Sequence, residues 1–175
     1  MRVLSDKTAR EWLSERGVQV DASGRLSFQT TQQVTELRLS PPATREAVTA
    51  LAVNVVGILN TELGWLLWLK DFSIWSDDTE ELGWNIIDTF ARIAQQPELN
   101  TDSSAMLYEP DETLSLKTTL VVPILFQWDA YLVNGDGNTF VRLDHDDHSS
   151  ISTRKPSVVK EIQDSQLRPS ILSVT

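Results

Sequence analysis

From Gly64 to Leu69 the chain runs Gly-Trp-Leu-Leu-Trp-Leu, then passes through Lys70-Asp71 to Phe-Ser-Ile-Trp, ending at Trp75. A continuous apolar run of this length reads as a buried strand, and aromatic side chains favour a pleated surface. It is far short of the ~20 residues a membrane helix needs. Phe72 and Ile74 are separated by Ser73, so the run changes to alternation, and a bend or bulge is expected near Lys70-Asp71.

The segments around this strand alternate between the two hydrophobic periods. Val18/Val20 and Leu26/Phe28 flank Asp21-Ala-Ser-Gly24, which is hairpin patterning around turn chemistry. Thr35–Leu39 alternates as a further strand. Ala105–Tyr108 fits a short strand before Pro110, and Leu125–Val133 reads as a strand that includes Trp128. Asn134-Gly-Asp-Gly-Asn138 carries two overlapping turn signals, with Thr139–Leu143 as the return strand. A turn at Asp144–His148 then leads to a strand over Ser149–Thr153.

Helical spacing marks residues 5–16, capped by Ser5 and stopped at Gly17. A second helix carries Ala47, Val48, Leu51, Ala52, Val55, Ile58 and Leu59, with Ser40 or Thr44 as its cap and Pro42 in its first turn. A third begins near Ser76-Asp77-Asp78, where Asp77 and Glu80 have the spacing of a capping box, and runs to Gln96 before Pro97. Its apolar stripe is Leu82, Ile86, Phe90 and Ile93. Another helix opens at Pro156 with Val158, Val159 and Ile162 apolar. Residues 111–122 are ambiguous: Asp111 could cap a helix, but Thr118–Val122 leans toward strand. Interspersed helices and hairpins define an α+β fold, with an antiparallel or mixed sheet packed by three to five helices. The 175 residues suit one domain over 1–168, with 169–175 as a frayed tail.

The charge is regional. The formal net charge is -10, yet residues 1–59 hold seven basic and six acidic residues. Residues 71–149 hold 16 acidic residues against only Arg92, Lys117 and Arg142, a balance of -13. Such a chain is a poor nucleic-acid binder, because phosphate contacts need Lys and Arg. With no Cys it has no thiol nucleophile, Cys-ligated zinc or disulfide. The N-terminal residues lack the apolar segment of a signal peptide, so a cytoplasmic protein with no membrane contact is expected. No Walker motif, dinucleotide fingerprint or Gly-x-Ser-x-Gly elbow occurs, and Asn134–Asn138 lacks the glutamate of a calcium loop. No cofactor is expected, and nothing in the sequence assigns an enzymatic activity.

Two clusters remain as candidate sites. Asp144-His-Asp-Asp-His148 puts five potential ligands in five residues, including both histidines of the chain. On a strand, Asp144, Asp146 and His148 would share a face, and with His145 they could bind a divalent cation for hydrolysis. A solvated turn explains the same residues. The second cluster interleaves tryptophan with acid: Trp75, Asp77, Asp78, Glu80, Glu81 and Trp84. Aromatics are enriched in protein interfaces and charge sets their specificity, so this segment is the expected docking face for a basic protein. The competing account is acid placed to complement a helix N-terminus.

In its small size, acidity, tryptophan content and lack of cysteine, the chain resembles bacterial immunity proteins, which block the basic active sites of toxins. The likeness is one of composition and not of motif. It implies an inhibitory binding module for a basic partner. A homo-oligomer using the apolar surplus of Gly64–Trp75 as its interface is a further expectation.

Overall fold

The apolar run is the middle of the fold. In the computed structural model β5 (Trp65–Asp71) pairs with β6 (Ala105–Tyr108) on one side and β7 (Asp129–Asn134) on the other, both antiparallel. The structure describes residues 1–29, 32–39, 41–59, 61–71, 77–96, 104–145, 149–165 and 170–174. For 71, 77–80 and 170–174 it describes the backbone only. The remaining strands are β1 (Arg2–Leu4), β4 (Thr35–Arg38), β8 (Thr139–Leu143), β9 (Ser150–Thr153) and β10 (Ser170–Val174). They complete an eight-stranded sheet ordered β1-β6-β5-β7-β8-β9-β4-β10, in which every neighbouring pair is antiparallel. The register of β5 against β7 shifts between Leu69 and Asp71, which is the irregularity expected at Lys70-Asp71.

Alternation along β5 explains why both faces of the sheet are covered. Trp65, Leu67 and Leu69 belong to one buried cluster, Leu66 and Trp68 to the other. The first face carries α2 (Arg45–Ile58), α3 (Asp77–Ile93), α4 (Thr113–Leu125) and α5 (Pro156–Asp164). The second is covered by α1 (Asp6–Ser14) and the separate hairpin of β2 (Val18–Val20) and β3 (Leu26–Phe28). Five helices and antiparallel sheets make the α+β class. Among the described residues no helix is long and apolar enough to cross a membrane.

Local chemistry sets several boundaries. Ser5 caps α1 by accepting from the Thr8 amide, and Gly17 follows at φ 70°. Asp21 Oδ1 accepts from the amides of Ser23 and Arg25, folding the β2–β3 turn. Thr44 caps α2 by accepting from the Ala47 amide, so Pro42 precedes the helix instead of lying in its first turn.

Four further expectations are corrected. Thr118–Val122 is helical, within α4. The Thr118 and Thr119 hydroxyls donate to the carbonyls of Leu114 and Ser115, and Leu116, Leu120 and Ile124 are buried at helical spacing. Burial here overrides β-propensity, which is context-dependent. Trp128 lies in the turn after α4, because β7 starts one residue later. Ser170–Val174, in the segment expected to fray, pairs with β4. Finally, α3 turns only part of its Leu82–Ile93 stripe to the core: Ile86 and Phe90 pack against it half-buried, Leu82 and Ile93 are exposed, and the buried positions are Gly83, Ile87 and Ala91. The cause is Trp128. A Cβ on Gly83 would lie 2.6 Å from its ring, so the helix backbone is seated directly on the indole.

Candidate functional site

The end of the sheet where β7 begins and β8 ends gathers parts of both candidate clusters. The β7–β8 register pairs Ala130 with Leu143. Continuing it by one residue sets Asp129 opposite Asp144, and the chain then turns at His145. Asp129 Oδ1 accepts a hydrogen bond from the His145 amide at 2.9 Å and lies 2.8 Å from His145 Nδ1. The ring nitrogen facing that carboxylate therefore carries the proton. Asp144 forms an ion pair with Arg142, and its side chain is largely buried. Asp129, Asp144 and His145 together offer ligand atoms within 4.8 Å of one another.

This arrangement can do two things. With the contacts above it clamps the start of the β8–β9 turn onto the start of β7. Two carboxylates and one imidazole are also a donor set for a divalent transition metal, provided Nδ1 gives up its proton and Asp144 loosens from Arg142. Of the residues first considered as ligands, Asp144 and His145 are brought together, while Asp146 and His148 lie outside the described residues. The missed residue is Asp129. Its signal was available in the hairpin, since a turn over 134–138 sets Asp129 across from Asp144.

The aromatic cluster sits one residue upstream. Trp128 is fully buried, with the ring of Phe126 5.6 Å and that of Trp84 5.4 Å from its own. Trp84 is half-buried, so it flanks the contact made by Gly83 and keeps an accessible edge. Aromatic pairs at this separation contribute about 0.5–1.5 kcal/mol beyond their burial. Glu81 is exposed one turn before Trp84. Asp77, Asp78 and Glu80 lie in the first turn of α3, the helix whose Gly83 is seated on the Trp128 ring at this end of the sheet. Trp75 falls outside the described residues.

Trp128 and Asp144 also line a cavity of about 250 Å³ between the start of α2, the end of α4 and the end of β8. Its rim carries Thr44 and Arg45 from α2 and Gln127 from the turn, over a floor of Val48, Leu51 and Leu143. Gln127 adopts φ 53°, a left-handed conformation that lets the chain reverse between α4 and β7.

The opposite end of the sheet is tied by backbone-directed cations. Arg154 Nη2 donates to the Gly137 carbonyl at 2.9 Å, Arg16 Nε donates to the Gly135 carbonyl at 2.9 Å, and Lys155 pairs with Asp136. Burial acts to raise the Asp136 pKa, but hydrogen bonds from Lys155 and Asn138 outweigh it and hold the carboxyl below its ordinary value. These contacts lock the β7–β8 turn.

Compared with protein-family models, with curated proteins and with solved structures, the chain matches none.

Proposed function

We propose that the protein is a binding module that docks a basic protein partner on the end of the sheet where α3 begins. The observation that carries this reading is the juxtaposition of Trp84 on Trp128 with the acidic start of α3 and with Asp129 and Asp144. A half-exposed aromatic backed by a rigid buried one is the kind of anchor that dominates interface energetics. Carboxylates around it would steer a cationic partner and raise its association rate. The regional balance of -13 over residues 71–149 supplies the field. An inhibitory role of the immunity type belongs to the same reading, because occlusion of a basic active site needs only such a face.

Pull-down from lysate at ~0.1 M and ~1 M salt tests the steering, since the screening length falls from ~10 Å to ~3 Å between them. A partner should be captured at low salt and lost at high salt. Asp77→Asn/Asp78→Asn/Glu81→Gln should lose it, while Glu11→Gln/Glu15→Gln/Glu161→Gln, an equal charge change elsewhere, should keep it. Salt-insensitive capture, or equal loss by both variants, would overturn the reading.

The grouping of Asp129, Asp144 and His145 favours a second reading, a metal-dependent hydrolase centred there. Calorimetric titration with Zn²⁺ and Mn²⁺ decides it. Binding heat that disappears in His145→Ala supports a metal centre, and no heat and no melting shift removes it.

A further inference from the structure

Trp65–Leu69, the centre of the run expected from the sequence to form an interface between copies, are fully buried in the middle of the sheet and cannot meet a second copy. The next residue, Lys70, does reach solvent, with its side chain 21% exposed. It passes between α1 and the β2–β3 turn. Its Nζ lies 3.6 Å from Asp6 Oδ1 and 3.8 Å from the centroid of the buried Trp68 ring. The turn backbone closes directly on the lysine stem: a Cβ on Gly24, which sits at φ 83°, would lie 3.1 Å from Lys70 Cε. The amine is therefore held in one place by two elements and an indole.

Its neighbours give it a chemistry that a freely exposed lysine lacks. Burial strips water from the ammonium and pushes its pKa below the ordinary lysine value. Arg10 acts in the same direction, and the Asp6 carboxylate opposes both without cancelling them. An amine that is desolvated and beside another cation is an activated nucleophile. Asp6 Oδ1 is also placed to receive a proton from it. Arg10 donates from Nε to Asp6 Oδ2 at 2.7 Å, and its guanidinium carbon lies 5.5 Å from the same Trp68 ring. Its side chain is 41% exposed, and among the described residues Asp6 is its hydrogen-bond acceptor, which leaves the Nη groups for a ligand. Two cations share one carboxylate here, so the cluster is positive by one charge in a chain of net charge -10. An anionic electrophile is the reagent that such a cluster draws.

We propose that Lys70 is a modification site that accepts an acyl group from a small acyl phosphate. The ammonium first loses one proton to solvent. The neutral amine then attacks the acyl carbon, a C–N bond forms, and the C–O bond to the phosphate breaks. The second proton leaves nitrogen by way of Asp6 and ends on the departing inorganic phosphate, which Arg10 holds. The product is a neutral amide, so the reaction removes both the ion pair with Asp6 and the cation over Trp68.

Brief treatment of the purified, folded full chain with acetyl phosphate, followed by peptide mass spectrometry, reads all five lysines at once. Lys70 should acetylate at least about threefold faster than Lys160, which is exposed on α5. Arg10→Gln, with an unchanged circular dichroism spectrum, should slow the reaction of Lys70 with acetyl phosphate at least about threefold more than its reaction with the uncharged N-hydroxysuccinimide acetate. The Lys160 rates should not move. A Lys70 rate equal to or below that of Lys160 in the parent protein would overturn the site, and equal slowing of the two reagents by Arg10→Gln would overturn the acyl phosphate as its donor. The experiment uses the protein alone, so it stands or falls separately from the basic-partner reading.

Discussion

Replacing a helical glycine by alanine usually stabilises a protein, and α3 is a place where the sign should reverse. In an exposed helix interior the gain is about 0.5–1 kcal/mol, because alanine loses less backbone entropy on folding. Gly57 in α2 meets that description: it is exposed, and an added Cβ would find nothing within 4 Å. Gly57→Ala should therefore stabilise by that amount. At Gly83 the added Cβ would lie 2.6 Å from Trp128 Cζ2 and 2.8 Å from Cη2. Both are closer than Cβ contacts occur, and the indole cannot swing aside because Phe126 and Trp84 pack against it. Overpacking of this kind costs about 1–3 kcal/mol. After subtracting the propensity gain, Gly83→Ala should destabilise by roughly 1–2 kcal/mol. Urea unfolding with linear extrapolation reads both variants, and for a chain of this size each kcal/mol shifts Tm by about 2–4 °C. If Gly83→Ala stabilises as much as Gly57→Ala, α3 is not seated on Trp128, and the argument for an aromatic anchor loses its geometry.

Three further outcomes follow from the same contacts. Ile87→Ala should cost about 2–5 kcal/mol, whereas Leu82→Ala, on the exposed flank, should stay within ~0.5 kcal/mol; thermal melts of the pair decide which stripe of α3 is core. Asp129→Ala removes the acceptor that holds the His145 amide, so it should cost about 1–3 kcal/mol and speed amide exchange at His145, read by hydrogen-exchange NMR. Asp136 has a lowered folded-state pKa, so its stabilisation is present above the unfolded carboxylate value and is lost as pH falls through the folded value. Asp136→Asn should thus be less stable than the parent by about 1 kcal/mol at pH 7, with the difference closing only below the ordinary value of 3.8, as denaturation at stepped pH would report.

The strands were legible because period-two patterning and turn chemistry are local. Hairpins at Asp21–Gly24 and Asn134–Asn138 stand where the turn residues place them, and the irregularity in β5 falls at Lys70-Asp71, where the apolar run gives way to alternation. What failed depended on distant neighbours. The stripe of α3 was chosen by hydrophobicity, but the helix is rotated onto Gly83 by an indole 45 residues away in the chain. In α4 a β-branched run became helix because its burial on the sheet outweighed local preference. The candidate site was half visible. Asp144, His145, Glu81 and Trp84 could be named from composition, yet that they share one end of the sheet was not evident before β7 and β8 were paired. Asp129 carries no motif of its own, and only register gives it a role.

The central claim is that the acid-aromatic end of the sheet is where a cationic partner docks. Titration of the isotopically labelled protein with a short lysine-rich peptide, followed by NMR, tests it most directly. The account predicts shifts concentrated at the amides of Glu81, Asp129 and His145 and at the indole N–H of Trp84, which fade as salt is raised. Shifts spread evenly over acidic groups of α1 and α5, or confined to them, would contradict it.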